Sequence, residues 1–196
     1  MKTALSFDDA LLVPRFSDVM SRKDIKIQQR LKGLHPLRLP IISSPMDTVT
    51  EIRMACAIHK EGGVGIIHRY NTVAEQANMV AEVRMSGHQV GAAIGVGDTF
   101  IGRAKALVNA GVNFLCVDVA HGHHTKVRYA LQTLKNTFGD DVHIMAGNVA
   151  TLEAFNDLAD WGADSIRVGI GGGSICSTRI QTGHGMPTLQ SVMDCA

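Results

Sequence analysis

The residue types able to do chemistry are densest in Gly169-Ile-Gly-Gly-Gly-Ser-Ile-Cys176-Ser-Thr-Arg179, which runs on through Thr182-Gly-His-Gly to Pro187. Four of the five positions from Gly169 to Gly173 are glycine. Such a backbone can turn its N–H groups onto an anion, or its carbonyls onto a cation, in conformations a side chain would forbid. A thiol follows. The combination suits a phosphate-bearing ligand held against Cys176 as nucleophile, with Thr178 and Arg179 to assist. A flexible surface loop with an incidental cysteine is the other reading this stretch leaves open.

Further candidates stand where apolar runs end. Asp118 closes Phe114–Val119 and could bond a ligand ribose or ring, or cap the next loop. Asn148, after Gly147, could bond a sugar hydroxyl or cap the following helix. His121, His123 and His124 with Asp118 have metal-ligand chemistry, but they sit on one short loop with no second carboxylate–histidine group to complete a site. Cys56 and Cys116 fall inside an expected helix and strand and read as core. No G-x-G-x-x-G follows a strand, because Gly169-Ile-Gly171 and Gly95-Val-Gly97 both lack the third glycine, so a Rossmann cofactor site is not supported.

The elements that must position these residues alternate. Short apolar runs at Leu39–Ser44, Gly63–His68, Val90–Ile94, Phe114–Val119, Val142–Met145 and Ser165–Val168 predict strands. Between them, Thr48–Glu61, Thr72–Met85, Phe100–Asn109, Thr125–Phe138 and Leu152–Trp161 predict helices; Val127, Ala130, Leu131, Leu134 and Phe138 make one continuous stripe. The strands are apolar on both faces, as strands covered by helices must be. Six βα units with no reversal of order favour an α/β fold of the (β/α)8 TIM barrel type over a doubly wound sheet. Polar and glycine residues collect after each strand: Ser44-Pro-Met-Asp47, His68-Arg-Tyr70, Gly95-Val-Gly97, Asp118-Val-Ala-His121, Gly147-Asn148 and Gly169 onward. The carboxyl end of such a barrel is where active sites are built.

The chain of 196 residues is 45% hydrophobic and 19% charged, with a formal net charge of +1, which suits a globular domain with a small ligand rather than nucleic acid or a membrane surface. The N-terminus lacks the apolar core of a signal peptide, and Cys56, Cys116, Cys176 and Cys195 contain no C-x-x-C pair, so a cytoplasmic protein with reduced thiols is expected. Residues 1–38 read as an N-terminal extension, and 39–196 as an incomplete barrel.

Together, Phe7-Asp-Asp-Ala-Leu-Leu-Val-Pro14, Ser44-Pro-Met-Asp-Thr-Val-Thr-Glu51, Gly62-Gly-Val-Gly-Ile-Ile-His68, Gly147-Asn-Val-Ala-Thr151 and the Gly169–Arg179 loop resemble the IMP dehydrogenase and GMP reductase family. The resemblance runs from Leu5 to the last residue. It implies a (β/α)8 barrel, usually a homotetramer, acting on a purine nucleoside monophosphate (IMP, XMP or GMP). By the same resemblance, Cys176 attacks C2 of the purine and Thr178 activates water or handles the leaving amine. Ser174 binds the phosphate, and Ser44, Met46, Asn148 and Arg167 line the nucleotide. Asp118 lies near the nicotinamide of NAD, or of NADPH in a reductase, and the carbonyls of Gly171, Gly173 and Cys176 match a potassium site. Gly172 stands where the family commonly has proline or serine, which should loosen the loop.

Two activities divide the resemblance. Met46–Glu51 and Gly62–His68 look like dehydrogenases, which make XMP from IMP, NAD and water; Asp118-Val-Ala120 looks like reductases, which turn GMP and NADPH into IMP and ammonia. Met85-Ser-Gly-His-Gln-Val90 runs straight into the third strand, with no regulatory CBS module. The chain stops inside the helix expected after the sixth strand, which predicts that these residues belong to a longer protein. A catalytically inactive nucleotide-binding fragment and an unrelated phosphate-binding barrel enzyme are the remaining expectations.

Overall fold

In the computed structural model, which describes residues 3–196, six parallel strands lie side by side in the order in which the chain makes them. They are β1 (Ile42–Ser43), β2 (Val64–Ile67), β3 (Val90–Ile94), β4 (Phe114–Asp118), β5 (His143–Val149) and β6 (Ser165–Val168). The helices are α1 (Ile52–Glu61), α2 (Val73–Met85), α3 (Phe100–Asn109), α4 (Thr125–Phe138), α5 (Leu152–Asp160), α6 (Thr178–Thr182) and α7 (Thr188–Cys195). Strand order never reverses, which is barrel winding rather than the two-way winding of a doubly wound sheet. Six βα units of a (β/α)8 barrel result.

Local chemistry sets the helix ends. Thr72 and Glu75 form a reciprocal capping box at the start of α2, and the Thr151 hydroxyl accepts from the Ala154 N–H at the start of α5. Thr48 and Val49, expected in the first turn of α1, belong to a separate turn closed by the Val49 and Thr50 N–H groups on the Met46 carbonyl. Thr50 is fully buried and its hydroxyl donates to the Ser44 carbonyl at 2.6 Å, so this segment rivets the end of β1 rather than extending the helix.

The alternation of strand side chains makes two apolar layers. Val64, Ile66, Ala93, Phe114, Cys116 and Met145 point into the barrel, while Ile67, Ala92, Ile94, Leu115, Val117 and Ile144 face the helices. The α4 stripe packs on the outer layer as its spacing predicts, with Val127, Ala130, Leu131 and Leu134 buried and Phe138 partly so. Inside, Gly91 leaves the space that the Phe114 ring fills. Leu34 and Leu37 close the amino-terminal foot of the barrel, held by paired backbone hydrogen bonds between Gln29 and Leu37. Asp164, nearly buried, fastens that end: its carboxylate meets Lys32 and Lys135 and accepts the Ile144 N–H at 2.8 Å. The carboxyl ends of the strands are left for the loops. No helix among the described residues is long and apolar enough to cross a membrane.

Candidate active site

Three neighbouring strands deliver one polar cluster. Asp118 ends β4, Arg167 lies in β6, and between them β5 runs past the expected Met145 to Val149, with an irregularity between Gly147 and Val149 that makes Asn148 the extra residue. A bulge re-aims a side chain that a regular strand would fix elsewhere. The Arg167 guanidinium is bonded to the Asp118 carboxylate, and the Asn148 amide donates to Val119 O at 3.0 Å and more weakly to Asp118 at 3.4 Å. Gly147 is bare because a Cβ there would stand 2.7 Å from the Arg167 Cβ. Asp118, Asn148 and Arg167, read separately from the sequence, are thus one ion-paired unit.

Arg69 belongs to the same neighbourhood, although the sequence places it after β2 without giving it a role. Its guanidinium reaches the Asp118 carbonyl at 3.4 Å, stacks at 5.5 Å over Tyr70, and keeps a buried Nε with no partner. The signal was present in its type and position: a cation directly after a fully buried strand. Cys116, beneath Arg167, is a core residue as expected, its thiol pushed up to about 12 chiefly by burial.

The Cys176 loop is built differently. It leaves β6 through the Gly169 N–H to Val149 O bond of 2.7 Å and turns at Gly171, whose φ of 69° suits glycine. Gly172 does not loosen it, because its Cα packs against Thr188 so closely that a Cβ would collide with the Thr188 hydroxyl. Within the loop the Cys176 N–H donates to Gly173 O at 3.1 Å. Cys176 itself is partly exposed. Bonding from the Thr178 hydroxyl and backbone, with a smaller pull from Arg179, holds its thiol below the usual range. Thr178 opens α6. Ser174 is exposed on the outer arm of the same loop. Thr178 also borders a cavity of about 600 Å³ whose walls include Ala120, His121, Ala150, Ile170 and Met186.

Ser44 and Met46 follow β1, at the opposite edge of the sheet from β6. The Ser44 carbonyl accepts from Thr50 and from the Met46 N–H, leaving the Met46 side chain exposed. Among the described residues no hydrogen bond joins them to the Cys176 loop. Nearby, the buried His68 ring bonds Glu51 at 3.1 Å and the Tyr70 N–H at 3.1 Å.

The ligands of the two ion sites weighed from the sequence already have other partners in part. The histidines after β4 diverge: His123 pairs with Asp157 at 2.7 Å and stacks on Trp161, His124 accepts the Lys126 N–H as a helix cap, and His121 faces the Thr178 cavity. Among the described residues no cluster of His, Cys, Asp and Glu could hold a metal. For potassium, the Gly173 carbonyl already accepts from Cys176 N–H and from the Arg179 guanidinium at 3.3 Å. The Arg179 guanidinium thus stands at one of the three carbonyls, of Gly171, Gly173 and Cys176, that the potassium reading needs.

The sequence model of the IMP dehydrogenase / GMP reductase domain matches residues 4–196. An inosine-5'-monophosphate dehydrogenase of Cryptosporidium parvum is 37% identical, over 98% of this chain and 58% of its own length. A GMP reductase of Leishmania major is 29% identical over 98% of this chain and 66% of its own. The crystal structure of inosine 5' monophosphate dehydrogenase from Legionella pneumophila superposes with a TM-score of 0.91 at 42% identity, covering 98% of this chain and 59% of that one. The chain therefore spans about three fifths of the length of several relatives it matches. Since the family model matches nearly every residue and the superposed structure covers 98% of the chain, this chain belongs to the IMP dehydrogenase / GMP reductase family.

Proposed function

We propose that this chain carries the nucleotide site and the nucleophile of an enzyme that oxidises IMP to XMP with NAD and water. The observation that carries the reading is a partly exposed thiol on a glycine loop at the carboxyl end of β6, in a family whose relatives include IMP dehydrogenases. The Cys176 thiolate adds to C2 of the base and the C2 hydrogen departs as hydride. The resulting C2–S thioimidate is hydrolysed by water, whose oxygen goes to C2 and whose two hydrogens go to the ring nitrogen and the sulfur, releasing XMP and the thiol; the net proton leaves when the thiol ionises for the next cycle. Bound NAD supplies the hydride acceptor, and the largely apolar walls beside Thr178, with Asp118 nearby in the chain order of the site, fit a nicotinamide ring. Thr178, two residues beyond the thiol at the start of α6, handles the proton. Ser174 takes the phosphate, and Ser44, Met46, Asn148 and Arg167 line the nucleotide; no step is assigned to potassium.

Residues 39–196 form the catalytic barrel and 1–38 an extension, of which Leu34 and Leu37 close the barrel's foot. The protein assembles as a homotetramer in the cytoplasm. Support comes from the exposed Leu11, Leu12, Phe16 and Met20, an apolar surface that association would bury, and from four cysteines without disulfides. Incubation with IMP and NAD should generate NADH absorbance that depends on both substrates. No NADH, with GMP-dependent loss of NADPH absorbance instead, would replace this reading with the reductase. One observation favours that second reading: Val119 follows Asp118, giving no hydroxyl to a cofactor, and its backbone is tied to Gly147 and Asn148.

A further inference from the structure

At the amino-terminal end of the sheet, away from the Cys176 loop, lies a second cavity, of about 410 Å³. Its walls come from three parts of the chain: His35 and Arg38 from the segment before β1, His59 from α1, and Arg84 and Gln89 from α2 and the turn to β3. The His88 ring lies tilted by 44° against that of His59, with centroids 4.9 Å apart. No Asp or Glu lines the cavity, and among the described residues none of these histidines and arginines has a carboxylate within ion-pair distance.

Neutral partners hold the groups in place. Arg38 donates to Lys60 O at 3.0 Å, and Arg84 to His88 O at 3.1 Å and the Asn113 side chain at 3.2 Å. The buried Gln89 accepts the His35 N–H at 2.9 Å and donates its own N–H to His59 Nδ1, which leaves Nε2 as that ring's donor. Fixed cations facing a concave space without a counter-charge repel one another. His59 records this: burial, then His88, Arg38, Arg84 and His35, hold its pKa below the usual histidine value. An anion in the cavity relieves that repulsion.

We propose that this cavity binds a phosphate-bearing small molecule through the guanidinium groups of Arg38 and Arg84 and the rings of His35 and His59. Two arginine forks match the oxygens of a phosphate, and a group of charge near −2 answers this many cationic sites better than a single carboxylate does. The site stands independently of the chemistry assigned to Cys176.

The test is NMR titration of the His59 ring, assigned with His59→Gln, in orthophosphate, tripolyphosphate or chloride at matched ionic strength. Because the ring reports locally, phosphate bound at the Ser174 loop does not interfere. Either phosphate should raise the His59 midpoint by about half a unit or more relative to chloride. Saturation by orthophosphate identifies a single phosphate group as the ligand; response to tripolyphosphate alone identifies a polyphosphate tail. Arg38→Gln and Arg84→Gln should each weaken the response several-fold, with Lys at either position restoring part of it. A midpoint equal in phosphate and chloride, or a response that survives Arg38→Gln and Arg84→Gln together, overturns the proposal.

Discussion

The two halves of the candidate active site are held by different means. Asp118, Asn148 and Arg167 project from adjacent strands, partly screened from water, and each is bonded to another member or to the backbone of the next strand. Cys176 rides on a loop whose tip is exposed, with Ile175 left 91% accessible, and a handful of backbone bonds hold its shape. In the first region the polar groups are part of the framework, so function and stability are coupled there. In the second, the proposed nucleophile is carried by a segment that the barrel hardly needs.

The sharpest way to break that comparison is to exchange one residue in each half. Cys176→Ala should lower turnover by roughly three orders of magnitude or more, since no other group can form the covalent bond to C2. Its urea unfolding midpoint should stay at the wild-type value; a clear drop would show that the loop supports the barrel after all. Arg167→Ala should do less to turnover and more to the fold. Asp118 would keep a largely buried carboxylate with its cation gone, at a cost of about 2 kcal/mol, below the roughly 3–5 kcal/mol of a fully buried pair because both groups retain some solvent. Equal unfolding curves for Arg167→Ala and wild type would mean that the strand-borne cluster is not a structural unit. Gly172→Ala sits between these extremes. Its methyl must displace Thr188, costing about 1 kcal/mol and shifting the loop. Turnover should fall several-fold and recover in part when Thr188→Gly is added; full activity in the single variant would show that the loop tolerates the Cβ.

The contrast also governs what could be read from the residues alone. The strands and helices were legible because burial on both faces leaves uninterrupted Val, Ile and Ala runs, and because the stripe from Val127 to Phe138 has one period. The parallel order followed from the alternation itself. Asn148 was legible as a polar residue near a strand end, but not as a bulge: strand irregularity depends on register with Arg167 and Val168, and register is a relation between segments. The pairing of Asp118 with Arg167 was invisible for the same reason, being a contact across 49 positions of chain. Arg69 was passed over because a charged residue after a strand looks like ordinary solvent exposure until its Nε is seen to be buried. Gly172 was misjudged for another reason. A glycine read by itself signals freedom, whereas here its missing side chain is the room that Thr188 occupies.

The smallest effect belongs to the thiol itself. Its depressed pKa rests first on Thr178, through the hydroxyl and then the backbone, while burial opposes the shift and Arg179 adds a minor attraction. The sign follows. A lowered pKa means that Cys176 reaches its thiolate form at lower pH than an ordinary cysteine, so the rate of alkylation by iodoacetamide should rise through a midpoint below the usual thiol range. Thr178→Val keeps the backbone N–H and removes the hydroxyl, so the midpoint should move up and alkylation at pH 7 should slow by about threefold. Arg179→Gln should move it in the same direction by less. If Arg179→Gln shifts the midpoint more than Thr178→Val does, the thiol is tuned by the open electrostatics of an exposed loop rather than by a bond to its neighbour. The Cys176 region would then lack even the one specific polar contact that likens it to the Asp118 cluster.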